Sequence, residues 1–347
     1  MTYKRRSMAS IMLIVVLLLA ACGSNEDSST AMENSNSDEK LIVYTTLFPI
    51  EDFTRKIGGD HVDVESILPP GSDAHTYEPT TKTMVSIAEA DGFIYNGLGM
   101  ESYAEAIADS IEGNNVIMFE ASTRIEAIEH KDNHHEEQGT SEDGEHAEEG
   151  EHHDDHEASE EEEHAKEDEH HHHGDKDPHV WLDPVRAIAI AENIKNALVE
   201  LHPEAKEDFE ANFQEVKADL KKLDNDFESL TDSKDKPEMI VSHAAYGYWE
   251  ERYGIHQIAI SGLSPSNEPS QKALEEIIHT AKEKNLSYVL FEQNVTPKVA
   301  KSLQKEIGAE ALRLHNLSVL TDEDIANEED YFSLMRNNLD TLDKALQ

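Results

Sequence analysis

The sequence predicts an α/β protein of two similar halves, each built on a parallel sheet, with one long helix between them. Three features of the 347-residue chain carry that prediction. Short β-branched runs alternate with amphipathic stretches before residue 120, and the same alternation resumes after Pro237. Between them, Glu204 to Lys236 contains neither Pro nor Gly and repeats its apolar residues at helical spacing.

In the first half the runs are LIVYTT (41–46), VDVESIL (62–68), GFIY (92–95) and NVIMF (115–119), separated by amphipathic segments near 49–58, 80–90 and 101–112. Strand, helix, strand at this spacing argues for βαβ units and hence a parallel sheet. In the second half the runs are EMIVS (238–242), IHQIAI (255–260), SYVLF (287–291) and ALRL (311–314), each followed by a helical stretch, near 245–253, 270–284, 297–307 and 329–345. The middle segment places Phe209, Phe213, Val216, Leu220, Leu223, Phe227 and Leu230 three or four apart, one face of a helix. About 27 residues at ~1.5 Å each make a rod of roughly 40 Å. Such a rod is expected to be a stiff spacer that limits hinge opening between the lobes, with a plain core helix as the alternative. The boundaries expected are therefore a first lobe over 41–202, a linking helix over 203–231 and a second lobe over 232–347.

The first 22 residues stand apart. Lys4, Arg5 and Arg6 precede a short apolar run, Ile11 to Leu19, too short for a comfortable membrane span. It ends in Leu19-Ala20-Ala21-Cys22, small residues before the chain's one cysteine. The pattern resembles a bacterial lipobox, which implies that residues 1–21 are a signal peptide and that Cys22 is the lipidated anchor to the outer face of the cell membrane. A single cysteine also rules out a disulfide framework. Residues 22–40, polar and without periodicity, read as a tether.

A formal net charge of −45 argues against nucleic acid or an anionic membrane surface as partner. It suits a cation, although solubility alone would also explain it. Much of the charge lies in a low-complexity segment, His130 to Asp177, which lacks the apolar residues to build a core and is expected to be disordered without metal. The segment carries twelve of the twenty histidines. Its residues His134, His135, His152, His153, His156, His170, His171, His172 and His173 are candidates for weak, multi-site metal binding, because neutral imidazole is a preferred ligand of Zn²⁺.

Outside that segment three histidines have unusual settings. His75 lies in LPPGSDAHTYEP, just beyond a strand; His179 lies in the Pro-bracketed DPHVWLDP; His243 closes EMIVS before a helix. Glu292 similarly ends SYVLF. In open α/β sheets ligands bind beyond the carboxyl ends of strands, so these four can converge in one cleft, two from each half. Three imidazoles and one carboxylate suit a tetrahedral Zn²⁺. Asp183, Glu101 and Glu268 are candidates to orient the imidazoles. His61, His202, His256, His279 and His315 read as structural.

The motifs GSDAHTYEP, NGLGMESY, DPHVWLDP, SHAAYGYW, GLSPSNEPS and FEQNVTPKVA, in this order, resemble the zinc-binding lipoproteins of bacterial ABC transporters, the metal-binding cluster A-I solute-binding proteins. The resemblance spans about residues 40–347. It implies two (βα)₄ lobes joined by a long backbone helix, with one tight Zn²⁺ between them held by His75, His179, His243 and Glu292. It implies a monomer that is no enzyme and that hands the metal to a membrane permease. Manganese-binding relatives usually carry Glu at the third position, where this chain has His243, and zinc-type relatives often carry a His- and acid-rich insertion. Some zinc relatives have an acidic residue before the first histidine; here it is Ala74. The alternatives are a Mn²⁺ or Fe²⁺ carrier of the same class and a metal-dependent surface adhesin. A zinc hydrolase is disfavoured because four protein ligands leave no position for water, and no HExxH or nucleophile elbow occurs.

Overall fold

The computed structural model describes residues 40–129, 176–235, 237–294 and 296–346. The expected signal peptide, Cys22 and tether before Lys40, and the histidines of the low-complexity segment from His134 to His173, lie outside the described residues.

The first lobe runs β1 (Leu41–Thr45), α1 (Phe48–Gly58), β2 (Val62–Ser66), α2 (Thr81–Ala88), β3 (Gly92–Tyr95), α3 (Ala104–Ser110) and β4 (Ile117–Glu120). Two helices follow, α4 (Pro184–Leu201) and α5 (Lys206–Thr231). The second lobe runs β5 (Glu238–His243), α6 (Gly247–Tyr253), β6 (His256–Ser261), α7 (Gln271–Glu283), β7 (Tyr288–Phe291), α8 (Lys298–Ile307), β8 (Glu310–Arg313), α9 (Asp322–Ala326) and α10 (Tyr331–Ala345). Each lobe holds a four-stranded sheet, ordered β2-β1-β3-β4 in one and β6-β5-β7-β8 in the other, and every strand pair is parallel. The two halves thus share one topology. In each sheet the order reverses at the second position (between β1 and β3, and between β5 and β7), and that is where such a sheet opens a crevice at its carboxyl edge.

Local chemistry sets the helix starts. Pro49 and Pro184 sit in the first turns of α1 and α4, where no amide hydrogen is needed. Asp183 caps α4 by accepting the Val185 N–H, and α10 opens with a reciprocal capping box between Asp330 and Ser333. One helix is not announced by the strand–helix alternation. α4 is Ala-rich and follows directly on the Pro-bracketed motif, yet it buries Ala187, Ile190, Ala191, Ile194, Ala197 and Leu198.

The long helix is a core element and not a bare spacer. After a 3₁₀ turn at Pro203–Ala205, α5 buries Phe209, Phe213, Val216, Leu220, Leu223 and Phe227. That stripe packs on α1 and α4 of the first lobe and on α6 and α10 of the second. At its far end Phe227 meets the rings of Trp249 and Tyr253, with centroids 5.1 and 5.0 Å away. The main hydrophobic core is accordingly continuous through both lobes, while a smaller cluster around Ile240, Ile260 and Phe291 belongs to the second alone.

The seam between lobes is also hydrogen-bonded, through buried aromatic side chains. The indole N–H of Trp181 donates to the Asn316 carbonyl at 2.8 Å, and that of Trp249 to the Leu182 carbonyl at 2.7 Å. The hydroxyls of Tyr331 and Tyr248 donate to the carbonyls of Trp181 and Asp177, each at 2.7 Å. Each ring buries large apolar area while its polar atom finds a partner.

Two outcomes follow from this packing. Phe213→Ala, which empties a fully enclosed site facing α4, should cost about 3–5 kcal/mol in urea unfolding, whereas exposed Lys222→Ala should stay within about 0.5 kcal/mol. His315 is buried, its Nδ1 accepting the Leu317 N–H and its Nε2–H donating to Asp324, and burial holds its pKa below the usual imidazole value. The unfolded chain therefore takes up a proton near pH 6.5 that the folded chain refuses. This contribution to stability is present above that pH and is lost as pH falls below it. His315→Gln should flatten the decline in unfolding free energy between pH 7 and 5.

Candidate metal centre

Each of the three histidines is placed by a different device. β2 ends at Ser66, and the chain turns through Pro69-Pro70-Gly71. Gly71 has φ +71°, a left-handed conformation that favours glycine, and its N–H donates to the Leu320 carbonyl of the second lobe. The Ser72 carbonyl accepts from Asn294 Nδ2 at 2.6 Å, a second tie across the seam. Asp73 then folds back on itself, accepting the His75 N–H at 3.0 Å and the Thr76 hydroxyl at 3.2 Å, an Asx turn that presents the His75 ring.

His179 has no strand beneath it. The Pro178 carbonyl accepts from Asn96 Nδ2 at 3.1 Å, where Asn96 follows β3 at the crevice of the first sheet. Glu101 fixes that corner by accepting from the Thr46 hydroxyl and from the amides of Asn96 and Gly97, although burial raises its pKa. Asp177 Oδ1 accepts both the His179 N–H at 2.9 Å and its ring Nδ1–H at 2.8 Å. His243 ends β5 at the crevice of the second sheet. Its Nδ1–H donates to Glu292 Oε1 at 2.8 Å, and that same oxygen accepts from the Ser242 hydroxyl.

The consequence is electrostatic. With Nδ1 of His179 and His243 engaged as donors to carboxylates, the neutral form of each ring presents Nε2 as its lone pair. These two nitrogens lie 3.3 Å apart, and His75 Nε2 lies 3.2 Å from that of His179. Lone pairs so close repel unless a cation stands among them. A tetrahedron whose metal–nitrogen bonds are about 2.0–2.1 Å has edges of about 3.3–3.4 Å, which is imidazole-bound Zn²⁺ geometry. Burial, reinforced by the two neighbouring rings, pushes the His75 pKa down to about 2, so this imidazole too stays neutral and ligand-ready. His179 is 1% exposed and His243 0%, while His75 is half-buried.

The structure thus brings together three of the four expected ligands. Among the described residues His75, His179 and His243 form the one group of ligating side chains with mutually close donor atoms. Glu292 stands behind His243 instead of beside it: Oε1 is held on Nδ1, and Oε2 is buried with no hydrogen-bond partner among the described residues. The three candidate orienting residues do other work. Asp183 caps α4 and pairs with Arg186, Glu101 braces the Asn96 corner, and Glu268 is exposed in the β6–α7 loop. His61, His256, His279 and His315 pair with Asp208, Glu250, Glu283 and Asp324, away from the cluster, and His202 packs edge-on against Phe209. The imidazole-orienting residue that sequence reasoning missed is Asp177. The signal was present, because Asp two positions before an amide, with Pro between, is an Asx-turn pattern.

The geometry predicts that zinc-free protein at neutral pH shows His179 and His243 as Nδ1–H tautomers in long-range ¹H–¹⁵N spectra. Nε2–H on either ring would break the lone-pair argument.

The family model described as zinc-uptake complex component A, periplasmic (ZnuA), matches residues 43–345. The zinc-binding lipoprotein AdcA of Streptococcus pneumoniae (strain R6) is 35% identical over 307 residues, covering 88% of this chain; the chain spans only 56% of that lipoprotein's length. The high-affinity zinc uptake system protein ZnuA of Bacillus subtilis (strain 168) is 35% identical over 308 residues, 89% of this chain and 88% of the relative. The crystal structure of the Zn(II)-bound ZnuA-like domain of Streptococcus pneumoniae AdcA matches with a TM-score of 0.68 at 30% identity, covering 89% of this chain and 99% of that one.

Proposed function

The chain belongs to the zinc-uptake complex component A family, and on that premise we propose that it is the extracytoplasmic zinc-capturing component of an ABC uptake system. It holds one Zn²⁺ as cargo between its lobes and delivers it to a membrane permease. The observation that carries this reading is the convergence of the His75, His179 and His243 ligating nitrogens within 4.8 Å of one another, with the two separations to His179 Nε2 at tetrahedral-edge length and the His179 and His243 rings held as Nδ1 donors by Asp177 and Glu292. In this reading His75, His179 and His243 are the protein ligands, and Glu292 acts through His243 and not as the fourth ligand. A nitrogen-rich set favours Zn²⁺ over Mn²⁺ through both ligand softness and the Irving–Williams order.

Cys22 carries the lipid anchor on the outer face of the cell membrane, a reading supported by the small residues before it. The site is complete within one chain, so a monomer suffices. Three ligands, unlike four, leave a position that water can fill, and a zinc-bound water is the starting point of hydrolysis. Zinc-loaded protein should nonetheless hydrolyse an activated ester no faster than free Zn²⁺ does. The histidines of the 130–175 segment add weak sites; deleting that segment should leave one tight site and remove the weaker ones in calorimetry.

The central test is a competition titration. Zn²⁺ should displace Mn²⁺ from the tight site, and His75→Ala, His179→Ala and His243→Ala should each abolish tight binding, while His256→Ala and His279→Ala leave it unchanged. Glu292→Gln should weaken binding by about 10–100-fold, the usual consequence of losing a partner that orients a ligating histidine. Equal or tighter Mn²⁺ binding would overturn the metal assignment, and unchanged binding by His179→Ala would overturn the site.

A further inference from the structure

Asp177 belongs to the first lobe, where its N–H donates to the Ile128 carbonyl at 3.0 Å, and it is packed from the second lobe as well. Gly247, the first residue of α6, packs directly on it: a Cβ added there would sit 2.7 Å from Asp177 Oδ2, with Ile128 Cδ1 at 2.9 Å and Gln257 Nε2 at 3.5 Å. Real side chains essentially never approach so closely. Backbone conformation does not explain the glycine, because Gly247 is not among the residues with positive φ. At the start of a helix, Ala would be the better residue on propensity alone. Space for the carboxylate and for the Ile128 side chain beside it is what requires Gly here. One residue on, the buried hydroxyl of Tyr248 donates to the Asp177 carbonyl at 2.7 Å. The ring of Tyr248 is in turn covered by the Arg186 guanidinium, 4.8 Å from its centroid, and Arg186 bridges Asp183 of the first lobe to Glu251 of α6.

We propose that Gly247 and Tyr248 are positioning residues for the metal site, acting across the lobe seam by holding Asp177 against the His179 ring. Gly247 leaves the room that lets the carboxylate lie on Nδ1, and Tyr248 fixes the peptide from which that carboxylate projects. α6 follows β5, the strand that ends in His243, so one segment of the second lobe both supplies a ligand and sets the tautomer of a ligand in the other lobe. Displacing α6 from the first lobe would loosen the Asp177 carboxylate's hold on His179 Nδ1, let the proton move to Nε2, and remove a lone pair from the metal. The inference rests on the zinc-binding reading above.

The test uses the full chain with Zn²⁺ alone, titrated against a competing chelator. Gly247→Ala should weaken zinc binding about tenfold or more, the scale on which partners of ligating histidines act, and Tyr248→Phe should weaken it in the same direction. Both should shift the visible d–d spectrum of the Co²⁺-substituted protein, which a purely structural loss away from the metal would leave alone. The decisive comparison is Gly247→Ala in an Asp177→Ala background. With the carboxylate gone the methyl still meets Ile128 but no longer displaces a group that touches a ligand, and the further loss of zinc affinity should be under about twofold. The same loss in both backgrounds, or wild-type affinity in Gly247→Ala and Tyr248→Phe, overturns the proposal. Should Gly247→Ala not fold, Tyr248→Phe decides alone by affinity and Co²⁺ spectrum. Wild-type protein that binds no Zn²⁺ would overturn the functional reading and this inference together, whereas tight wild-type binding with unaffected variants overturns this inference only.

Discussion

A buried imidazole offers a lone pair at one nitrogen only while the other keeps its proton, and a carboxylate within hydrogen-bond reach is what keeps it there. Asp177 and Glu292 do this for His179 and His243, at 2.8 Å each. Much else in the molecule serves that arrangement. Glu101 braces Asn96, which holds the peptide before His179; Ser242 and the end of β5 hold Glu292 and His243 in register. A site prepared in this way has little reorganisation left to do when a cation arrives.

The three ligands are not equivalent. His179 and His243 are rigid and enclosed, one beside the Trp181 turn and the other at a strand end in the middle of a sheet. His75 is half-buried on an irregular loop tied down by Asp73 and by two contacts to the second lobe through Leu320 and Asn294. Solvent therefore reaches the site from the His75 side. The seam behind it is closed by aromatic donors on backbone carbonyls and by the long stripe of α5. Both lobes share one apolar core there, so opening them as rigid bodies would expose buried rings and strand several buried polar groups at once.

The orphaned Oε2 of Glu292 belongs to the same account. A buried carboxylate oxygen without a partner, as Oε2 is among the described residues, is costly, and proteins tolerate such groups where function uses them. Here the carboxylate puts negative charge one imidazole away from the place where a divalent cation is proposed to sit, so the ion's charge is balanced through His243 as well as at its own ligands.

The sequence by itself determined the architecture. Parallel βα repeats follow from short buried runs alternating with amphipathic ones, α5 from its three-and-four spacing, and the three histidines from their place just past strand ends or between prolines. These are local signals, legible because periodicity and turn chemistry act over a few residues. α4 escaped that reading, since an Ala-rich helix directly after a Pro-bracketed motif has a weak apolar contrast. What only the tertiary structure decided is which carboxylates meet which nitrogens. Glu292 and His243 are 49 residues apart, and whether the carboxylate faces the metal or the back of the ring depends on how β5 and β7 pair. Asp177's hold on His179 depends on Gly247 and Tyr248, which come from the other lobe. Residue type and spacing can nominate ligands. Tautomer, orientation and the absence of a single methyl group are set by packing between segments far apart in the chain, and no local pattern records that.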